Sequence, residues 1–192
     1  GYFGRMTRGV AQDYQRNIDF INRNNSLPVR QHFDQAQSSK LRDHLADQLG
    51  LDPAGVALTA RASDALQSLI RNYNGLQPGD QLLICDLEYH SVEYAMRWVA
   101  RQRGLELIEI SHKHPATHES LVASYREAFE RHPRLKLMAL THVTHRTGLV
   151  LPVQDIVAAA TSHGVDVILD GAHALGQIEF DLQALGVAFA GY

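Results

Sequence analysis

The chain has 192 residues, 45% hydrophobic and 20% charged, with a formal net charge of −3, enough for about one domain with a sizeable core. Its acidic balance and scattered arginines give no electrostatic footprint for nucleic acid, and no apolar run approaches the roughly 20 residues of a membrane-spanning helix, so neither partner is expected. The single cysteine, Cys85 in QLLICD, rules out a disulfide framework and reads as a small buried hydrophobe.

The opening GYFGRMTRG starts abruptly without an initiator Met, so the natural N-terminus is expected to lie further upstream. From about Thr7 to Asn24, Val10, Tyr14, Ile18 and Ile21 recur at helical spacing, and FDQAQSSKLRDHLADQLG predicts a second amphipathic helix closing at Gly50. Together residues 1–50 are expected to form a helical arm. Over 51–192 the pattern changes to alternation. The predicted order is strand GVALTA, helix Ser63 to Asn74, turn QPGD, strand QLLICD, helix Ser91 to Arg103 and strand LELIEI. A helix of about Leu121 to Arg131, strand LKLMALTHV, a helix of about Val153 to His163 and strand VDVILDGA follow. Strands separated by helices of this length predict right-handed crossovers and an α/β, doubly wound, mainly parallel sheet covered on both faces.

In such sheets, ligands bind beyond the carboxyl ends of the strands. Polar and aromatic residues gather there: Arg61 to Asp64 after the first strand, Glu88, Tyr89 and His90 after QLLICD, Thr144 and His145 after LKLMALTHV. The last strand delivers Asp170 and His173. Asp170 poses the sharpest question, because a carboxylate ending an apolar strand is costly unless a cation or donors meet it. The ARASDAL turn suits an anion, since free N–H groups and the positive end of a helix dipole meet a phosphate without a lysine, although Ser63 reads equally as a plain N-cap. Tyr89 suits a flat ring or ordinary packing, and His145 and His173 read as site residues or as structural histidines. A phosphate for Ser63, a flat ring for Tyr89 and a protonated ring nitrogen for Asp170 are all properties of pyridoxal 5′-phosphate (PLP), whose pyridinium is an electron sink for a carbanion at an amino acid's Cα.

In their order and spacing, ARASDAL, DLEYHS, THVTHRTGLVLP and DGAHALG resemble the class-V aminotransferase group of fold-type-I PLP enzymes, which includes isopenicillin-N-epimerase-like proteins and cysteine desulfurases. The likeness runs from GYFG to LQALGVAFAGY. It implies that Ala62 and Ser63 hold the phosphate, that Tyr89 stacks on the ring where many relatives have histidine, and that Asp170 pairs with the ring nitrogen. It also implies that His173 approaches the 3-oxygen or the other ring face, and that Thr144 and His145 lie near the 3-oxygen and the imine carbon. Relatives commonly carry Asn where His145 stands and a hydroxyl residue where Ala62 stands, which bears on reaction type and on phosphate contacts respectively.

These enzymes bind PLP through a Schiff-base lysine a few residues after a segment like FAGY. The three lysines here, Lys40, Lys113 and Lys136, are all elsewhere, so the lysine is expected just after Tyr192, with a C-terminal small domain beyond, and the chain is read as the N-terminal part of the large domain. The resemblance further implies a homodimer acting on a small-molecule amine. NNSLPVRQHFD, taken with the motifs above, is similar to PLP-dependent tailoring enzymes of pyoverdine siderophore maturation, which implies a periplasmic protein acting on the glutamyl group of a peptide-siderophore precursor. Otherwise a cytoplasmic location is expected. Transamination, epimerisation and elimination, including cysteine desulfuration, share the first carbanion, and which one follows is open. A PLP-fold module without catalysis is the alternative of another class. No G-x-G-x-x-G follows the first strand, and HKHPATH and THVTH have ligand-like spacing without the surrounding acids or cysteines of a metal site, so no metal is assigned.

Overall fold

A computed structural model describes residues 5–112 and 115–192, the side chains of 34–36 excepted. GYFG, and Lys113 and His114 of HKHPATH, lie outside the described residues. The chain forms two compact units, Gly1–Leu58 and Thr59–Tyr192.

In the first unit, helix α1 (Arg8–Arg23) is capped by Thr7, whose hydroxyl accepts from Val10 N–H at 3.4 Å, and its stripe of Val10, Tyr14 and Ile21 is exposed. The second predicted helix starts seven residues earlier than expected. It begins as α2 (Ser26–Arg30), passes through a π-helical stretch (Gln31–Gln37) and ends as α3 (Ser38–Leu49). Pro28 sits in the first turn, where its missing N–H has no intrahelical partner to lose. Gly50, at φ 66°, closes the run, with Leu51 N–H donating to Ala46 O at 2.8 Å. Beyond a 3-10 turn (Pro53–Gly55), the predicted strand GVALTA does not form: residues 56–60 join no ladder. A short apolar run makes no strand by itself; it needs a backbone partner to satisfy its N–H and C=O groups. The compact first unit therefore runs past the expected arm boundary at Gly50, through this turn to Leu58.

The second unit alternates as expected: α4 (Ala62–Asn72), β1 (Gln81–Cys85), α5 (His90–Arg103), β2 (Glu106–Ile110), α6 (His118–Arg131), β3 (Leu135–Thr141), α7 (Val153–Ser162), β4 (Asp166–Asp170) and β5 (Phe189–Gly191). Helix α6 starts three residues before the predicted Leu121, because Thr117 and Ser120 form a reciprocal capping box. All strand pairs are parallel, in the order β2-β1-β3-β4-β5. Helices α4 and α5 pack on one face, and α6 and α7 on the other, giving the three-layer, doubly wound α/β sheet expected from the sequence.

With both faces covered, the central strands have to be apolar nearly throughout. All five residues of β1 are buried, and Leu82, Ile84, Leu137, Ala139 and Ile168 pack against Leu66, Ile70, Met96 and Val99 of α4 and α5. Each fully buried large side chain of this layer contributes about 1.5–3 kcal/mol. The chain winds from β1 to β2 on one side and then crosses to β3 on the other. The switch point, where such sheets open a crevice, thus lies between the carboxyl ends of β1 and β3.

Candidate active site

The carboxyl ends of β1, β3 and β4 converge with the N-termini of α4 and α5. Asp170 ends β4 at 5% exposure and is the register partner of Thr141 at the end of β3. Its Oδ1 accepts from Ala172 N–H at 3.0 Å. Burial raises its carboxyl group above the usual aspartate range, while that N–H and the nearby His173 pull it back down. The β4 exit turn is tied to its neighbour by Gly171 N–H donating to Gly191 O at 2.8 Å.

Ala62 and Ser63 open α4 behind an N-cap, Arg61, that supplies no side-chain cap. Tyr89, the N-cap of α5, supplies none either. The two helix starts lie side by side: Ser63 Oγ is 3.3 Å from Ser91 Oγ, and Gln67 Nε2 donates to Ser91 O at 2.7 Å. Two positive helix ends converging on a pair of hydroxyl groups form an anion cradle. Ser91 was not singled out in the sequence. Only its place two residues after Tyr89 marks it.

Tyr89 is half-buried and meets His145 edge to face, with ring centroids 5.1 Å apart and planes at 89°. Arg146 Nε donates to His145 Nε2 at 3.3 Å, and its Nη2 lies 3.1 Å from His90 Nε2. Burial, Arg146, His90 and His173 all lower the His145 pKa, so the ring is neutral at neutral pH. His145 Nδ1 is buried with no hydrogen-bond partner. Thr144, buried at 3%, accepts from Leu149 N–H at 3.0 Å and lies 2.6 Å from Thr147 Oγ1. Its hydroxyl is engaged in the turn that carries His145 and Arg146.

The structure thus brings Ala62, Ser63, Tyr89, Thr144, His145, Asp170 and His173 to one rim of the sheet. Glu88, which the sequence placed at this rim, and Ser91, Arg146 and His142 were given no role there by sequence reasoning. His142 Nδ1 and Tyr192 OH are also buried without hydrogen-bond partners. His142 packs edge-on to Phe180, which stacks on Tyr192. A flat molecule with an anionic group and a protonated ring nitrogen fits this donor set. The uncapped helix pair takes the anion, Asp170 takes the ring cation, and His145 Nδ1 is an orphaned polar atom with a bond to make.

The family model for class-V aminotransferases matches residues 12–191. A probable cysteine desulfurase of Vibrio cholerae is 29% identical over 157 residues, which cover 80% of this chain and 38% of the relative. Isopenicillin N epimerase of Streptomyces clavuligerus is 31% identical over 149 residues, covering 77% of this chain and 37% of the enzyme. Among solved structures, the complex between the cystine C–S lyase C-DES and its reaction product cysteine persulfide superposes with a TM-score of 0.81 at 22% identity, covering 94% of this chain and 48% of that one. The Escherichia coli cysteine desulfurase superposes at 0.73 and 21% identity, covering 93% of this chain and 45% of that one. The chain therefore spans well under half the length of these curated relatives, and the structural likenesses bear on the fold alone.

Proposed function

This chain belongs to the class-V aminotransferase family, whose cofactor is pyridoxal 5′-phosphate, and from that premise we propose that it is the cofactor-cradling part of a PLP-dependent enzyme acting at the amino group or Cα of an amino-acid-like substrate. The observation that carries the reading is the buried Asp170 carboxylate, raised by desolvation and set beside two uncapped helix N-termini. When bound, the cofactor supplies an electron sink for the carbanion at the substrate Cα. Asp170 holds a proton at the ring nitrogen through a charge-assisted hydrogen bond. Ala62 and Ser63, with Ser91 across from them, bind the phosphate. The Tyr89 ring covers one face, and Tyr89 and His145 together exclude water from it. His145 Nδ1 and His173 serve the 3-oxygen side, while the exposed Arg146 at the rim suits a substrate carboxylate.

Borohydride reduction of the whole protein, followed by mass spectrometry of its peptides, tests this. A lysine carrying the reduced cofactor is expected, and its absence sinks the enzyme reading in favour of a PLP-fold binding protein. The reaction is proposed to be of the aminotransferase type, with epimerisation or cysteine desulfuration as the alternatives that the relatives favour. Deuterium wash-in at Cα separates them. Keto-acid formation marks transamination, inversion marks epimerisation, and sulfur released from cysteine marks a desulfurase. A finer reading rests on the NNSLPVRQHFD likeness: a periplasmic homodimer that modifies the glutamyl group of a pyoverdine precursor. Reaction with that peptide, and none with free amino acids, is its expected signature.

A further inference from the structure

Glu88 has no part in the roles above, yet it is 4% exposed and stands at the switch point between β1 and β3. Its Oε1 accepts from Thr141 N–H at 3.2 Å and from Cys85 Sγ at 3.4 Å, and its Oε2 lies 2.6 Å from Thr141 Oγ1. Thr141 is in turn the register partner of Asp170. Two carboxyl groups therefore flank one residue where water is nearly excluded, and a charge on either raises the cost of ionising the other. Among the described residues, Glu88 interacts with Cys85 at the end of β1, Asp170 on β4 and Tyr125 on α6, and beyond these lie Asp86 and the buried His112, whose ring is 5.3 Å from that of Tyr125 and which has a nitrogen within 4.8 Å of Cys85 Sγ. Asp170, by contrast, has His173 and the Ala172 N–H beside it.

We propose that Glu88 is a positioning residue that carries a proton as a neutral acid, clamping β1 to β3 through Thr141 and leaving the one negative charge of this buried pair on Asp170. The inference rests on the reading of Asp170 as the partner of a protonated ring nitrogen, because its use is to keep that carboxylate ionised. The asymmetry between the two sites supports it. Burial pushes Glu88 up to about 7, outweighing the Thr141 hydroxyl, the Cys85 thiol and the Thr141 N–H that pull it down, and the Asp170 charge adds to the rise. Asp170 is raised by the same desolvation but is held down by the Ala172 N–H and, electrostatically, by the nearby His173. As a neutral acid, Glu88 donates from Oε2 to Thr141 Oγ1 while Oε1 still accepts from Thr141 N–H, so both oxygens keep a partner. When pH rises through the Glu88 midpoint, that proton leaves to solvent, and the buried pair has to carry two charges.

The test uses the whole protein stripped of cofactor, read by difference infrared spectroscopy of the protonated-carboxyl stretch, with Glu88→Gln and Asp170→Asn as the two variants. The expected result is a band present at about pH 6 that fades with a midpoint near 7. It should be absent in Glu88→Gln and present in Asp170→Asn with a lower midpoint. A band that survives in Glu88→Gln and vanishes in Asp170→Asn assigns the proton to Asp170 and overturns the proposal, as does a wild type with no carboxyl titrating in this range. Gln keeps the size and hydrogen bonds of the neutral acid, so a folded variant is expected, with circular dichroism as the check. Because the cofactor is absent, a failed borohydride adduct would remove the PLP reading while leaving this result standing.

Discussion

The Tyr192 ring rests against the α-carbon of Gly171: a Cβ on Gly171 would stand 2.1 Å from Tyr192 Cε1 and 2.4 Å from its Cδ1. The residue after Asp170 is thus small because the aromatic leaving β5 occupies the space a side chain would need. Gly171→Ala is expected to destabilise the protein by about 1–3 kcal/mol through overpacking, seen as a fall in Tm of roughly 2–4 °C per kcal/mol. Adding Tyr192→Ala should recover part of that loss. If the two losses simply add, the contact does not cause the penalty.

Asp170→Ala is expected to lower turnover far more than cofactor occupancy, since the ring-nitrogen partner goes while the helix-end cradle stays. Losing one such charge-assisted interaction costs about 1.5–3 kcal/mol, or roughly 10- to 150-fold in rate. Wild-type turnover in the variant would remove Asp170 from the chemistry.

The sheet and its helices were legible because near-continuous apolar runs such as QLLIC and VILD occur only where both faces of a sheet are covered. GVALTA misled for a local reason: a short apolar run ahead of a helix looks like a strand but lacks the ladder partner that makes one. The π-helical stretch at Gln31–Gln37 was equally invisible, since the extra residue in its turns leaves the apolar spacing nearly unchanged. At the site, Asp170 stood out because a charge ending an apolar strand is expensive, and its burial agrees with that reading. Glu88 was placed at the rim but given no role, because it follows the strand by three residues and looks like a loop acid. Only the folded pairing of β1 with β3 brings Thr141 onto both its oxygens.

The cradle predicts a graded effect on cofactor affinity. Ser63→Ala removes one hydroxyl but leaves the backbone N–H groups of both helix starts. The cofactor Kd should therefore weaken by about 0.5–1.5 kcal/mol, roughly 2- to 12-fold, and inorganic phosphate should compete less well in the same variant. Fluorescence titration of the apoprotein reads both. An unchanged Kd for cofactor and phosphate alike would return Ser63 to a purely structural role.

Glu88 also makes stability depend on pH with a definite sign. Its folded pKa, about 7, lies above the unfolded value near 4.5, so the native state binds the extra proton. Its contribution is fully present below about pH 4.5 and is lost as pH rises through 7. The full loss is on the order of 3 kcal/mol at about 1.4 kcal/mol per pKa unit. Denaturant melts of wild type and Glu88→Gln should thus diverge between about pH 5 and pH 8, with wild type losing more. Histidines held below their usual pKa, such as His142 and His145, act in the opposite direction and cancel in the comparison. Parallel curves would mean that Glu88 is ionised throughout.

The reaction itself turns on His145. Because Arg146 Nε donates to His145 Nε2, the proton of the neutral ring sits on Nδ1, a buried donor with no hydrogen-bond partner. Burial, the Arg146 guanidinium and the neighbouring His90 and His173 hold the ring's pKa down, so a second proton is costly to add and the ring suits donating a hydrogen bond more than carrying a proton from Cα. His145→Asn keeps a donor of similar reach. It should therefore retain substantial activity and flatten the acid limb of the pH–rate profile, where protonation of the histidine would otherwise switch its role. Deuterium wash-in at the substrate Cα decides between the two roles. Exchange retained in the variant fits a hydrogen-bond donor, whereas exchange abolished with the cofactor still bound would make His145 the proton carrier.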